Sequence, residues 1–332
     1  MKPHLAPRRT GRQWAAIVRD LAVPAPFVQA EFCAYIERHT HRVLELMPAV
    51  MRPGAPSGTW LRTARADYFY YEEQTSPFHQ GHIMLSLAAH VLLGDPARQS
   101  VDLRLVPDVS PHLARMMLAG TGGSPVTELE AEAFAFVALE HARRAAYPPS
   151  LARRAHQHLK PLHSALREAV PEAMNAAACG LRPAASLRLH RQVIQIRDAA
   201  LALRPYRDPQ VVLAATRAAR TAGLAGPELA AMVEASVLSA AIRAKSAGQP
   251  VANAPVYIGR PPVAGPDLRS ETACLVKVSR AFAQLRKDGD PETGDAGESR
   301  PDGFSPAGAC RPRTVPFRLC FRLDGGDVVH ER

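Results

Sequence analysis

The pair Pro148–Pro149 constrains the fold more than any other short feature of the chain. Proline fixes its own φ and disfavours the helical region for the residue before it, so no long helix runs through two in succession. Ahead of the pair, "SPVTELEAEAFAFVALEHARRAAY" has helical periodicity, with Ser124–Pro125 at its start. Beyond it come five helical stretches, at 151–170, 187–203, 209–223, 226–248 and 267–287, separated by breakers such as "GLRPAAS" and "RPYRDP". None carries a strand signal. The expected division is an N-terminal domain over 10–147, an all-α domain over 151–287 and a tail over 288–332. That tail holds too little apolar material to fold and is expected to be disordered.

The N-terminal half changes period twice. "RQWAAIVRDLAV" and "PFVQAEFCAYIERHTHRVLEL" read as helices separated by Pro24 and Pro26. "GTWLRT" and "ADYFYYE" are short runs of β-branched and aromatic residues around a brief turn, which predicts a hairpin. The edge of such a hairpin can accept an extended peptide by strand addition. "SPFHQGHIMLSLAAHVLLGD" is then a helix, with Ser76 as N-cap, Pro77 at the first position and Gly94 near its end. "SPHLARMML" is a further helical piece in the following loop. The fold class expected is mainly α: an N-terminal α+β domain with a short β-hairpin, then an all-α domain.

Charge and cysteines narrow the function classes. The net charge of +10 allows nucleic acid as a partner, and Arg143, Arg144, Arg153, Arg154 and Lys160 cluster in sequence. No recognition-helix, zinc-finger or RNP pattern surrounds them, and the aromatic share of 6% supplies no stacking ladder for single strands. Nucleic acid is therefore not the expected partner. The five cysteines are scattered without a CxxC pair, as in a reducing compartment. The basic N-terminus has no apolar secretion core, and no run reaches membrane-spanning length. A cytoplasmic protein is expected.

The helix "HQGHIMLSLAAH" at 79–90 has the rhythm of a zinc-peptidase helix. Such a helix needs two histidines at i and i+4 on one face to hold the metal, and a glutamate beside the first as general base. A third ligand comes from elsewhere. Here His90 stands in the second histidine position, while Ser86 and Leu87 stand where the first histidine and the glutamate would be. A neutral hydroxyl is a poor zinc ligand and leucine accepts no proton. Loss of the general base alone costs about 10²–10⁴ in rate. His82 and His90 lie eight residues apart, about 80° around the axis, so a displaced set of His82, His90 and Glu128 is the geometric alternative. The competing structural reading makes His90 a hydrogen-bonded core histidine and "EAFAFVAL" a buried helix face, with Glu128 and Glu132 favoured by the helix dipole.

Two resemblances add to these readings. "ADYFYYEEQTSPFHQGHIMLSLAAHVLL" at 66–93 and "ELEAEAFAFVAL" at 128–139 resemble the ImmA/IrrE-type metallopeptidase family, in particular members that serve as toxin or regulator components of toxin–antitoxin-like loci. The resemblance spans 10–147 and implies a zincin-like fold, with Glu128 as third zinc ligand and Glu132 supporting it. It also places histidines at His79 and His82 beside the motif. "LKPLHSALREAVPEA", "LRLHRQVIQIRDAALALRPY" and the helices that follow resemble a soluble helical domain of unknown function found behind the membrane segment of actinobacterial transporters. That resemblance names no catalytic residue. Arg191, Arg197 and Asp198 lie on or near one helix, which reads as a solvated, charged face.

The expectation that follows is a non-catalytic regulatory or interaction protein on a metallopeptidase-like scaffold, with no cofactor and with a protein or peptide partner. A membrane protein is among the partners considered. A zinc peptidase using His82, His90 and Glu128 is the alternative, and a DNA-associated regulator the third reading.

Overall fold

A computed structural model of the chain describes residues 29–51, 55–63, 65–93, 102–103, 131, 134–135, 137–138, 148–174, 184–251 and 264–289, together with residue 19. The N-terminal part is α1 (Gln29–Thr40), β1 (Val43–Ala49), β2 (Gly58–Thr63), β3 (Ala66–Glu72), α2 (Pro77–Leu93) and the two-residue β4 (Asp102–Leu103). The C-terminal part is α3 (Pro149–Ala169), α4 (Ala185–Ala202), α5 (Pro209–Thr221), α6 (Gly226–Ser246) and α7 (Leu268–Gly289), with 3₁₀ turns at Pro171–Met174 and Arg204–Tyr206. The chain is mainly α, as expected, and all five expected C-terminal helices are present. The expected helix over 110–118 lies outside the described residues, as does all but residue 19 of the first one.

The hairpin is present, but inside a larger sheet. Its strands β2 and β3 are antiparallel, with Trp60 opposite Phe69, in a sheet of order β1-β3-β2-β4. β1 runs parallel to β3 along its whole length, so β3 is an interior strand with no free edge. The outer edge of β2 meets β4 at Arg62 and Thr63. Strand addition onto the hairpin is thus closed on the β3 side.

The second expected helix stops early. It ends at Thr40, His41 takes a left-handed φ of 55°, and residues 43–49 form β1 instead of another helical turn. Pairing with β3 outweighs the helical spacing of "RVLEL", and the Glu37 side chain accepts the Leu44 amide (2.9 Å) as the strand begins. Pro48 is tolerated because β1 lies at the sheet edge.

Each half has local stops that agree with its sequence. Ser76 caps α2, its Oγ accepting the His79 amide (3.3 Å), with Pro77 following. Asp208 caps α5 by accepting the Gln210 amide (2.8 Å). Gly223 ends that helix at φ 78°, with the Leu224 amide reaching back to the Ala219 carbonyl (3.0 Å). Pro161 interrupts the backbone bonding of α3. In the turn before it, the His158 carbonyl accepts Ser279 Oγ of α7 (2.8 Å).

One contiguous apolar core runs from Phe32, Trp60, Phe69 and Phe78 through Leu159 and Leu189 to Phe282. α2 lies directly on β2: a Cβ added to Gly58 would sit 2.3 Å from Ile83 Cγ2 and 3.2 Å from Leu87 Cδ1. Glycine is needed there for close approach, not for its backbone freedom. Ala131, Phe134, Ala135 and Ala138 are helical and fully buried at i, i+3, i+4 and i+7, the buried face anticipated for "EAFAFVAL".

Candidate functional site

β3 carries a buried carboxylate at each end. Asp67, near its start, accepts Arg42 Nε (3.1 Å), Arg62 Nε (2.8 Å) and Trp60 Nε1 (3.2 Å), and the Arg62 guanidinium stacks 4.6 Å from the Trp60 ring centre. Glu72, at its end, accepts the amides of Met51 (2.9 Å) and Gln74 (2.8 Å). Its third contact is Arg204 Nη2 at 2.9 Å, from the 3₁₀ turn after α4, and Arg204 Nη1 also donates to the Met51 carbonyl (2.9 Å). The sheet half and the helical half are therefore joined by a charged pair of which Glu72 is only 1% exposed.

The histidines at the start of α2 take part in the same seam. His79 is buried, with Nδ1 against Thr75 Oγ1 (2.8 Å) and Nε2 3.2 Å from Asp198 Oδ1 of α4. His82 Nδ1 faces His190 Nε2 of α4 (3.3 Å), and the His190 ring meets Phe78 edge-on. Burial pushes the His82 imidazole down to about 3, the neighbouring His79 adds to that, and Asp198 opposes it. At neutral pH His82 is an uncharged member of an imidazole pair. What this geometry does chemically is to hold two surfaces together through neutral and paired groups.

Of the residues singled out for zinc, His79, His82, Ser86 and His90 lie on α2. His90 is fully buried in the last turn of α2, Ser86 is part-exposed, and Leu87 packs towards Gly58. Glu128 and Glu132 lie outside the described residues. Among the described residues no three His, Cys, Asp or Glu side chains are grouped so as to hold a metal ion. The stacked His79 and His82 rings stand 6.4 Å apart, too wide for two imidazoles on one tetrahedral ion, given nitrogens about 2.0–2.1 Å from the metal.

The charged face expected on α4 is corrected. Arg197 is 3% exposed and pairs with Glu271 of α7, which is fully buried. Arg207 pairs likewise with Glu234 of α6 (2.7 Å). Arg191 and Asp198 are half-buried and fit the expectation in part, and Asp198 is committed to His79. Sequence reasoning also missed His190, Arg204 and Glu72. Their partners lie 108 residues away for His190 and 132 for the Glu72–Arg204 pair, the difference of their numbers, so local spacing carries no signal of either.

Residues 146–285 match a family described as Family of unknown function (DUF6545). The DUF6545 segment therefore takes in all five helices of the C-terminal half short of the last turn of α7, including His190, Arg204 and the Arg197–Glu271 and Arg207–Glu234 pairs. It agrees with a helical domain of unknown function over this stretch and stops short of 10–145. No curated protein and no solved structure matches the chain. No helix among the described residues is long and apolar enough to cross a membrane.

Proposed function

We propose that the protein is a non-catalytic regulatory or interaction protein built on a metallopeptidase-like scaffold, acting on a protein or peptide partner in the cytoplasm, in the manner of a toxin–antitoxin or signalling-locus component. The observation that carries this reading is Leu87. It occupies the position a peptidase of this kind gives to its general base, it is 2% exposed, and it serves as a contact between α2 and Gly58 of β2. A site whose base has become a packing residue keeps its scaffold and loses its reaction. The engagement of His79 and His82 with the helical half supports the same reading, since histidines that bind neighbours in a seam serve assembly rather than turnover.

Metal content of the purified, full-length chain tests this, measured by elemental mass spectrometry alongside His90→Ala and His82→Gln. The expected result is zinc far below one per chain in all three. One zinc per chain, lost in the variants while their circular dichroism is retained, would instead establish the peptidase with ligands His82, His90 and Glu128.

A further inference from the structure

Among the described residues the sheet has one long exposed edge. β3 is interior, and Thr59, Trp60 and Leu61 of β2 are buried. That leaves the outer side of β1, where Val43, Glu45 and Pro48 are exposed. An apolar strand such as "VLELMPA", with hydrogen-bonding groups turned outward, is a ready template for another strand. The ladder tells which groups turn outward. In a parallel pair the N–H and C=O of one residue point to the same side, and successive residues alternate. The Ala49 carbonyl accepts the Glu73 amide (3.0 Å), so Val43, Glu45, Met47 and Ala49 bond towards β3. Leu44, Leu46 and Pro48 therefore turn their backbone groups out.

Two of those positions offer an incoming strand no donor. Pro48 has no N–H. The Leu44 N–H is held by the Glu37 side chain, which accepts it at 2.9 Å. Glu37 reaches it because α1 and β1 are joined by a tight reversal, where His41 takes a φ of 55°, a left-handed value that few non-glycine residues adopt. Helix α1 thus sends Phe32 and Ile36 into the core and Glu37 to the first outward amide of the strand.

The two positions act together. A second copy laid antiparallel across this edge about Leu46 would set Leu46 against Leu46, with Leu44 against Pro48 on either side. Each pair exchanges two N–H···O bonds in an unblocked ladder. In both Leu44–Pro48 pairs, proline removes the donor of one bond and Glu37 claims the donor of the other. Only the central pair survives, which does not offset the freedom lost when two chains associate. We propose that Glu37 and Pro48 guard this edge, keeping β1 from pairing with a second copy of the chain. The inference rests on the sheet alone, and it stands whether or not the scaffold is that of a peptidase.

Sedimentation velocity of the full chain over a concentration series tests it, with circular dichroism as the control for folding. Glu37→Ala together with Pro48→Val returns both missing donors. The expected result is self-association at least about tenfold tighter than that of the parent chain, with each single variant in between. Hydrogen exchange read by peptide mass spectrometry should slow over residues 43–49 in the associated form. A double variant that matches the parent in dichroism and in association would overturn the proposal. Tighter association without protection over 43–49 would overturn it too, because the contact would then lie elsewhere. If the double variant loses its fold, the singles decide: folded singles that associate no more tightly than the parent overturn the guard.

Discussion

The two halves bury charge in different ways. The sheet half buries carboxylates: Asp67 and Glu72 sit at the two ends of β3 and gather donors around themselves. The helical half buries both partners of its pairs, Arg197 of α4 with Glu271 of α7, and Arg207, in the loop before α5, with Glu234 of α6. At the seam one of each kind meets, Glu72 with Arg204. An ion pair taken out of water gains little over well-packed apolar residues, but removing one partner strands the other charge. The contrast therefore makes the seam an obligation rather than a bonus: each half holds a charge that only the other neutralises.

Breaking that seam should give the largest effect. Arg204→Ala is expected to destabilise the chain by about 3–5 kcal/mol in urea unfolding, and Glu72→Ala by a similar amount. The double replacement Glu72→Gln with Arg204→Met should cost clearly less than the sum of the singles, because neither change then leaves a buried charge alone. Additive losses would mean that the two groups are not coupled. Gly58→Ala comes next. Its new methyl meets Ile83 and Leu87, and overpacking of this kind costs about 1–3 kcal/mol, seen as a lower denaturation midpoint.

Acid should act through His82. Its folded value of about 3 lies below its ordinary 6.5, so the unfolded chain takes up the proton first. The contribution is whole above pH 6.5 and declines as pH falls towards 3, by about 1.4 kcal/mol per pH unit at most. His82→Gln should flatten that part of the stability–pH curve; an unchanged slope would assign the acid sensitivity to other groups. The smallest effect belongs to the rim. Lys245→Ala removes an exposed pair and should change stability by no more than about 1 kcal/mol.

What the sequence disclosed follows the range of the interactions. The helices of the C-terminal half were legible because each carries its own periodicity and local boundary signals, as α5 does with Pro209 at its start and Gly223 after its end. The β2–β3 hairpin was legible for the same local reason. β1 was not, since its strand state depends on a parallel partner beyond an intervening strand, while "RVLEL" satisfies a helical spacing equally well. Arg197 shows the same limit in the site. Seen along α4 it is one charge among several, and only Glu271, 74 residues on, makes it an interior residue. That Leu87 offers no proton acceptor could be read from the sequence alone. The use to which His79 and His82 are put could not, because Asp198 and His190 arrive from another part of the chain.

Arg204 also bears on how this helical unit can be reused. The stretch matching a family ends its reach well after Pro148–Pro149, yet one of its own arginines is satisfied by a strand from before them. A gene that transplants this unit behind a different neighbour, keeping an arginine at this position, inherits an open valence. The new neighbour must bring a carboxylate or carbonyl to the same spot, or leave it wet. Matching a family along the chain and standing alone in space are thus separate properties, and Arg204 keeps the first from implying the second.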